Sequence, residues 1–193
     1  MSRLSCLGLV ASYIYVSIMT IGLDYIAIAL SLASIYTCFS EQRACLSIAC
    51  KDLGIGVNVC GLLIPLIFSL YLALHSDISY ILLWSPLAIA IALMHTISWR
   101  KGTAVNTIRY TITLLFLTIP FSTRNALITI PLLNIIGIAL GSDLISYKVS
   151  LGSSKKNSIF IIGGARYSDA IVLSTIIVNA LIALSYKLHS LLF

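Results

Sequence analysis

The chain has 193 residues, of which 60% are hydrophobic and only 9% charged, with a mean hydropathy of +1.07. Soluble domains carry about 25% charged residues, so water is excluded as the solvent for most of this surface and an integral membrane protein is expected. The net charge of +6 then reports orientation in a bilayer, and no nucleic-acid partner is expected.

Each span takes about 20 apolar residues, and the apolar runs leave no room for a separate soluble domain. Residues 1–193 are expected to form one transmembrane domain, an all-α polytopic bundle of about seven spans. In chain order these are Leu4–Ile21, Tyr25–Phe39, Leu53–Leu74, Ile78–Ser98, Thr103–Ile119, Asn125–Tyr147 and Tyr167–Tyr186. The first has no small-residue cleavage pattern behind it and is expected to be retained. Arg3, Arg43, Lys51, Arg100, Lys101, Lys148, Lys155 and Lys156 fall on one side, and only Arg124 and Lys187 on the other. The positive-inside rule makes the first side cytoplasmic. The N-terminus is then inside, the C-terminus outside, and the location a multi-pass protein of the cell (plasma) membrane. Asp24, His75 and Asp77 fall in short external turns.

Cys6, Cys38, Cys45, Cys50 and Cys60 show no CxxC spacing and read as small apolar packers. In the third segment Gly54, Asn58, Gly61 and Pro65 share one helical face. Small residues permit close helix packing, Asn can bond across the contact, and Pro65 should bend the helix. A functional alternative has Asn58 level with the acids of the last two spans, orienting one of them. Arg109 reads first as a snorkelling cation in the fifth segment, and otherwise as a partner for an acid. His95 and His189 lack ligand partners, so no metal site and no cofactor are expected.

The sixth segment carries a Gly137-xxx-Gly141 contact with Asn134 on the same face, and Asp143 about 200° away from Gly141. Asp143 lies near a helix C-terminus, where the dipole disfavours an anion. Asp169 is expected in the first turn of the last helix, behind a break at Gly163-Gly164, where the dipole favours one. Sequential antiparallel spans put both acids at one depth. If the helices touch, Asp143 and Asp169 can act as a hydrolytic dyad, one carboxyl protonated and one ionised. Gly163 and Gly164, with Asn58, are the supporting residues. Between the acids, Ser158–Ile162 is β-prone. It reads first as the buried start of a longer seventh span, and otherwise as an extended edge open to another strand.

Val57–Leu72, Gly141–Tyr147 and Ile161–Leu173 together resemble an uncharacterised family of prokaryotic multi-pass membrane proteins, domain of unknown function 1614. The likeness runs from about Lys51 to the end. Arg166 stands where a small residue is expected, Ala170 replaces a glycine, and Cys60 replaces the first of two glycines. More distantly, Asp143 and Asp169 on consecutive helices resemble the aspartate pair of presenilin, signal peptide peptidase and the prepilin peptidases. Here Ser142 replaces the usual tyrosine, Gly164 precedes Asp169 by five residues, and no Pro-Ala-Leu motif follows. That resemblance implies an intramembrane aspartyl protease-like hydrolase acting on a membrane protein or peptide. A proton- or cation-coupled transporter and a non-enzymatic membrane scaffold remain open beside it. The lipid bilayer is the one partner common to all three.

Overall fold

A computed structural model describes residues 2–20, 25–40, 46–50, 55–76, 78–99, 102–119, 127–146, 160–164 and 169–192. Its described residues hold seven helices and two small sheets. Helices α1 (Ser2–Thr20) and α2 (Tyr25–Phe39) come first, followed by strands β1 (Ser47–Cys50) and β2 (Ile55–Asn58). Helix α3 starts as a π-helical turn, Val59–Leu63, and runs on as α-helix from Ile64 to Ala73. Helix α4 (Ile78–Met94) leads into the hairpin of β3 (Thr96–Trp99) and β4 (Gly102–Val105), then α5 (Thr107–Thr118). Helix α6 is α-helical over Ile130–Ile136 and π-helical over Gly137–Ile145. Strand β5 (Phe160–Ile162) and helix α7 (Ala170–Leu192) complete the chain.

The seven helices fall within or close to the seven apolar segments. The ends of several segments differ, because an apolar run with β-branched residues can be strand or helix. The third segment begins as strand at Ile55–Asn58, the fourth ends as strand at Thr96–Trp99, and the fifth begins as strand at Gly102–Val105. The bundle is therefore mostly helical, with strands where all-α was expected. Phe160–Ile162 is a strand and not the buried start of the last helix, so the extended alternative holds there. It pairs parallel with β2, Ile55 opposite Phe160, and β2 pairs antiparallel with β1, Ser47 opposite Asn58. A parallel pair needs a long crossover, and here four helices lie between its two strands. Gly54 and the charged loop residues Asp24, Arg43, Lys51, Asp77, Arg100, Lys101, Arg124, Lys148, Lys155, Lys156 and Arg166 lie outside the described residues.

Helix α7 sits between two apolar cores. Ile171, Val178 and Ile182 face one, shared with Tyr110, Leu114, Ile135 and Ile138. Val172, Ile176 and Ala183 face the other, shared with Leu9, Tyr13 and Phe68. Each set keeps helical spacing, so the two stripes lie on different sides of the helix. Between them Ser174, Thr175 and Asn179 are buried. Asn134 of α6 donates through Nδ2 to Ser174 Oγ at 2.8 Å and Thr175 Oγ1 at 3.1 Å, tying α6 to α7. Asn134 thus serves the α7 side, not the glycine face where it was expected. That face packs on α4: a Cβ on Gly137 would lie 2.8 Å from Ala88 O, and one on Gly141 2.7 Å from Ile89 O. Tyr13 Oη reaches Pro65 O at 2.8 Å, and its ring stacks on Phe68 at 4.4 Å.

Among the described residues no helix is long and apolar enough to cross a membrane. The outer surface is nonetheless oily: Tyr25 is 92% exposed, Phe116 77%, and Leu82 and Leu83 above 70%.

Cys6 and Cys38 are not separate packers but a disulfide joining α1 to α2, Cα to Cα 5.7 Å. Pairing depends on distance across the fold, which spacing along the chain does not reveal. The bridge spans 32 residues, worth up to about 4 kcal/mol by loop-closure entropy. Cys6→Ser is therefore expected to lower the thermal midpoint by several degrees. Cys60 is disulfide-bonded as well, so reductant is expected to lower the wild-type midpoint at least as far as Cys6→Ser does.

Candidate functional site

The start of α7 is set by Asp169. Ile171 N donates to Asp169 Oδ1 at 3.0 Å, and Leu173 N donates to Asp169 O at 3.0 Å. Asp169 is thus the N-cap of α7, just ahead of the first turn in which it was expected. A cap accepts from a helix N–H that lacks an intrahelical partner, and the helix N-terminus favours negative charge on the same group.

Asp143 lies toward the other end of a helix, in the π-helical part of α6. The wide turn is visible in Ser146, whose backbone N–H reaches back five residues to Gly141 O, where its Oγ also donates at 3.1 Å. Asp143 accepts a hydrogen bond from the backbone N–H of Gly163, and its carboxyl feels the charge of Asp169. Both aspartates are half-buried and line one cavity of about 280 Å³. The opposite wall is Thr103–Val105 of β4, with Thr107 of α5. Acids at the ends of two consecutive helices are thus brought into one pocket, across a connection of more than 20 residues.

Gly163 makes this possible through its backbone. Its φ is +72°, a region that side chains penalise. A Cβ there would lie 2.8 Å from the Gly61 carbonyl carbon, and a Cβ on Gly61 would strike the Gly163 carbonyl oxygen. The two glycines let the turn after β5 lie directly on the first turn of α3. Gly164 continues that turn, with Ile161 O 3.0 Å from where its Cβ would stand.

Asn58 has a different role from the one expected. It belongs to β2, and its Oδ1 accepts from Cys60 N and Gly61 N, each at 3.0 Å. Its Nδ2 donates to Ser47 Oγ at 3.1 Å. The side chain caps the π-turn of α3 and so fixes Gly61 beneath Gly163. Asn58 supports the site through that backbone. A strand-ending Asn followed by a helix is a cap signal, hidden here because the whole segment reads as one apolar run.

Arg109 is exposed near the start of α5. His95 bonds Thr113 through Nε2, 3.2 Å from Oγ1. Among the described residues no group of three His, Cys, Asp or Glu side chains converges to hold a metal. The β4 wall is the part of the site that sequence reading missed. Its one signal was the β-branched content of Thr103-Ala104-Val105 just before Asn106, which caps α5 by accepting from Arg109 N at 3.2 Å.

Neither curated proteins nor solved structures yield a match to this chain. Residues 9–182 match the family described as protein of unknown function (DUF1614). The match covers most of the chain and includes both aspartates, the glycine pair and the β4 wall, so the protein belongs to that family.

Proposed function

We propose that this protein is an integral membrane hydrolase of the aspartyl protease type, with Asp143 and Asp169 as its catalytic pair. The observation that carries the reading is the shared cavity: two carboxylates from different helices within reach of each other's charge. Asp169, held by the start of α7, acts as general base and takes a proton from water. The water oxygen attacks the peptide carbonyl carbon while Asp143 gives its proton to the carbonyl oxygen. Gly163 N–H holds the other Asp143 oxygen in place. The gem-diol then collapses: the C–N bond breaks, Asp169 returns its proton to the leaving nitrogen, and Asp143 recovers one from a hydroxyl. Each carboxyl ends as it began, as two-carboxylate acid–base chemistry requires.

The membrane setting is part of the same proposal. It is supported by the 60% hydrophobic composition and 9% charge, and by the exposed Tyr25, Leu82, Leu83 and Phe116. The polar residues run the other way, with Ser69, Thr111, Asn134, Ser174 and Thr175 fully buried. Lipid in place of water accounts for both. The proposed topology has seven membrane-embedded helices, the N-terminus cytoplasmic and the C-terminus outside, in the cell membrane. Breaks such as the π-turns and the β2–β5 sheet would be shielded by surrounding helices.

Two measurements test this. Membrane retention through alkaline carbonate washing supports the setting, and release into the wash counts against it. Cleavage of a labelled single-span peptide in liposomes by wild type, with none by Asp143→Asn or Asp169→Asn, supports the hydrolase. Equal cleavage by all three overturns the aspartate pair as catalyst, and cleavage by none of them leaves a scaffold, in which Asp169 caps α7.

A further inference from the structure

In the topology proposed above, α1 begins, α2 ends and α3 begins at the membrane face where α6 ends and α7 begins. Cys6, Cys38 and Cys60 lie close to the first three of those ends. All are at most 2% exposed, and all belong to the core that holds Leu9 and Phe68. Asp143 and Asp169 lie toward the other two. Sulfur bonds and acid pair thus share one face, and in the proposed orientation it is the cytoplasmic one. Cytosolic thiols keep most proteins reduced, and the disulfides found there are usually transient or redox-sensing. The chain has five cysteines. Cys6 bonds Cys38, and Cys60 is bonded separately, which leaves Cys45 or Cys50 as its partner. Cys45 precedes β1 and Cys50 ends it, so either one ties this stretch of chain to the first turn of α3.

The two bonds differ in what they touch. Cys6–Cys38 joins α1 to α2, and neither helix supplies a described residue to the acid cavity. Cys60 is one step from the backbone of the site. Its N–H and that of Gly61 both donate to Asn58 Oδ1 at 3.0 Å. The first N–H groups of a helix have no intrahelical partner, so the Asn58 cap and the Cys60 bond fix this turn. Gly61 lies against Gly163, where a Cβ would come 2.8 Å from Gly61 C and 2.9 Å from Leu62 N. Gly163 N–H in turn donates to Asp143. From Cys60 to the Asp143 carboxyl the links are main-chain contacts, with no long side chain between them to absorb a shift.

We propose that the Cys60 disulfide is a redox latch on the acid pair. Bonded, it holds Gly61 beneath Gly163 and keeps Asp143 facing Asp169. Reduced, the first turn of α3 loosens, Gly163 shifts, and hydrolysis slows. The proposal rests on the hydrolase reading and on the cytoplasmic orientation. The reductant is a protein dithiol of the cytosol. Its first thiolate attacks one sulfur of the Cys60 bond; that bond breaks, a mixed disulfide forms, and the sulfur set free takes up a proton. Its second thiolate then closes the reductant's own disulfide and frees the other sulfur, which takes up a proton as well. Two electrons and two protons have passed to Cys60 and its partner. Cys60 is fully buried, so attack follows local opening where β1 meets α3, and the latch answers slow changes of redox poise.

The test uses the full chain in liposomes, equilibrated in dithiothreitol buffers of graded redox poise. Maleimide alkylation with mass spectrometry reads the state of each cysteine, and hydrogen exchange reads the backbone around Gly163. Cleavage of a labelled single-span peptide reads activity. As Cys60 becomes a thiol, cleavage should fall about tenfold to a hundredfold, the scale of a small misplacement of reacting groups. Exchange across residues 160–164 should rise about tenfold, as a local opening does. Cys6→Ser should keep both responses, whereas Cys60→Ser should cleave slowly and exchange fast at every poise. Cleavage and exchange that stay constant while Cys60 is alkylated overturn the latch, and so does a response that follows Cys6 and Cys38 alone. If Cys60→Ser fails to fold, the wild-type titration still decides between these outcomes. In cells expressing the chain, maleimide trapping should find Cys60 as a thiol before a diamide pulse and as a disulfide after it. A disulfide in both states makes the bond a fixed staple and overturns the proposal. No cleavage by oxidised wild type removes the hydrolase, while hydrogen exchange still decides the latch.

Discussion

Asp169→Asn is expected to abolish cleavage while leaving the protein as stable as wild type, and Asp169→Ala to lose both. The difference separates the capping role of this side chain from its proposed catalytic one. As N-cap of α7, Asp169 needs only an oxygen to accept from Ile171 N. Asn caps helices as well as Asp does, whereas Ala costs about 1 kcal/mol. As general base it needs a carboxylate, which Asn lacks, and loss of a general base costs about 100-fold or more in rate. Peptide cleavage in liposomes reads the first role, and thermal unfolding in detergent reads the second. If Asp169→Asn retained full activity, the carboxylate of Asp169 would have no part in catalysis. Asp143 caps nothing in α6, so Asp143→Asn should match Asp169→Asn in activity and leave unfolding unmoved.

Gly163→Ala is expected to be strongly damaging for a single added methyl. The residue sits at φ +72°, which costs a side chain about 1–2 kcal/mol. Its Cβ would also lie 2.8 Å from Gly61 C and 2.9 Å from Leu62 N, and backbone at that distance has to move. Together these put the loss at about 3 kcal/mol, within the range for overpacking and backbone strain. Because Gly163 N–H bonds Asp143, the same shift disturbs the dyad, so activity should fall further than stability alone accounts for. Gly61→Ala should resemble it, since its Cβ strikes the Gly163 carbonyl. Gly8→Ala is the control: its Cβ would meet Ile176 Cδ1 at an ordinary 3.6 Å. Thermal midpoints of the three variants, with cleavage rates per folded molecule, check the order.

The seven helices were legible because long apolar runs are the plainest signal a sequence carries. The pairing of Asp143 with Asp169 was legible for a related reason: sequential antiparallel helices bring the ends beside their connection to one level. What stayed hidden depended on contacts between distant residues. Ile55–Asn58 becomes strand because Phe160–Ile162 lies beside it, and nothing within residues 55–58 announces a partner about a hundred positions on. Asn58 looked like one member of a helical face shared with Gly54, Gly61 and Pro65, and only the change from strand to helix at Val59 makes it a cap. Cys6 and Cys38 met through the packing of α1 on α2. The β4 wall was masked by the apolar run that follows it, since hydrophobicity weighs Thr103–Val105 together with the helix.

One consequence follows from the π-helical winding of Gly137–Ile145. A π-turn accommodates an additional residue within an otherwise α-helical path. Its width fixes an angle, because each residue counts for about 100° of rotation on an α-helix. Suppose the chain were one residue shorter between Gly137 and Asp143. The segment could relax to ordinary α-helix and still reach the same height. Asp143 would then turn away from Asp169 and Gly163, although every chemical group of the site was still present. The bearing of this carboxylate is thus encoded by a count of residues as much as by their kind. In that sense the wide turn works as a length code for the placing of the acid pair.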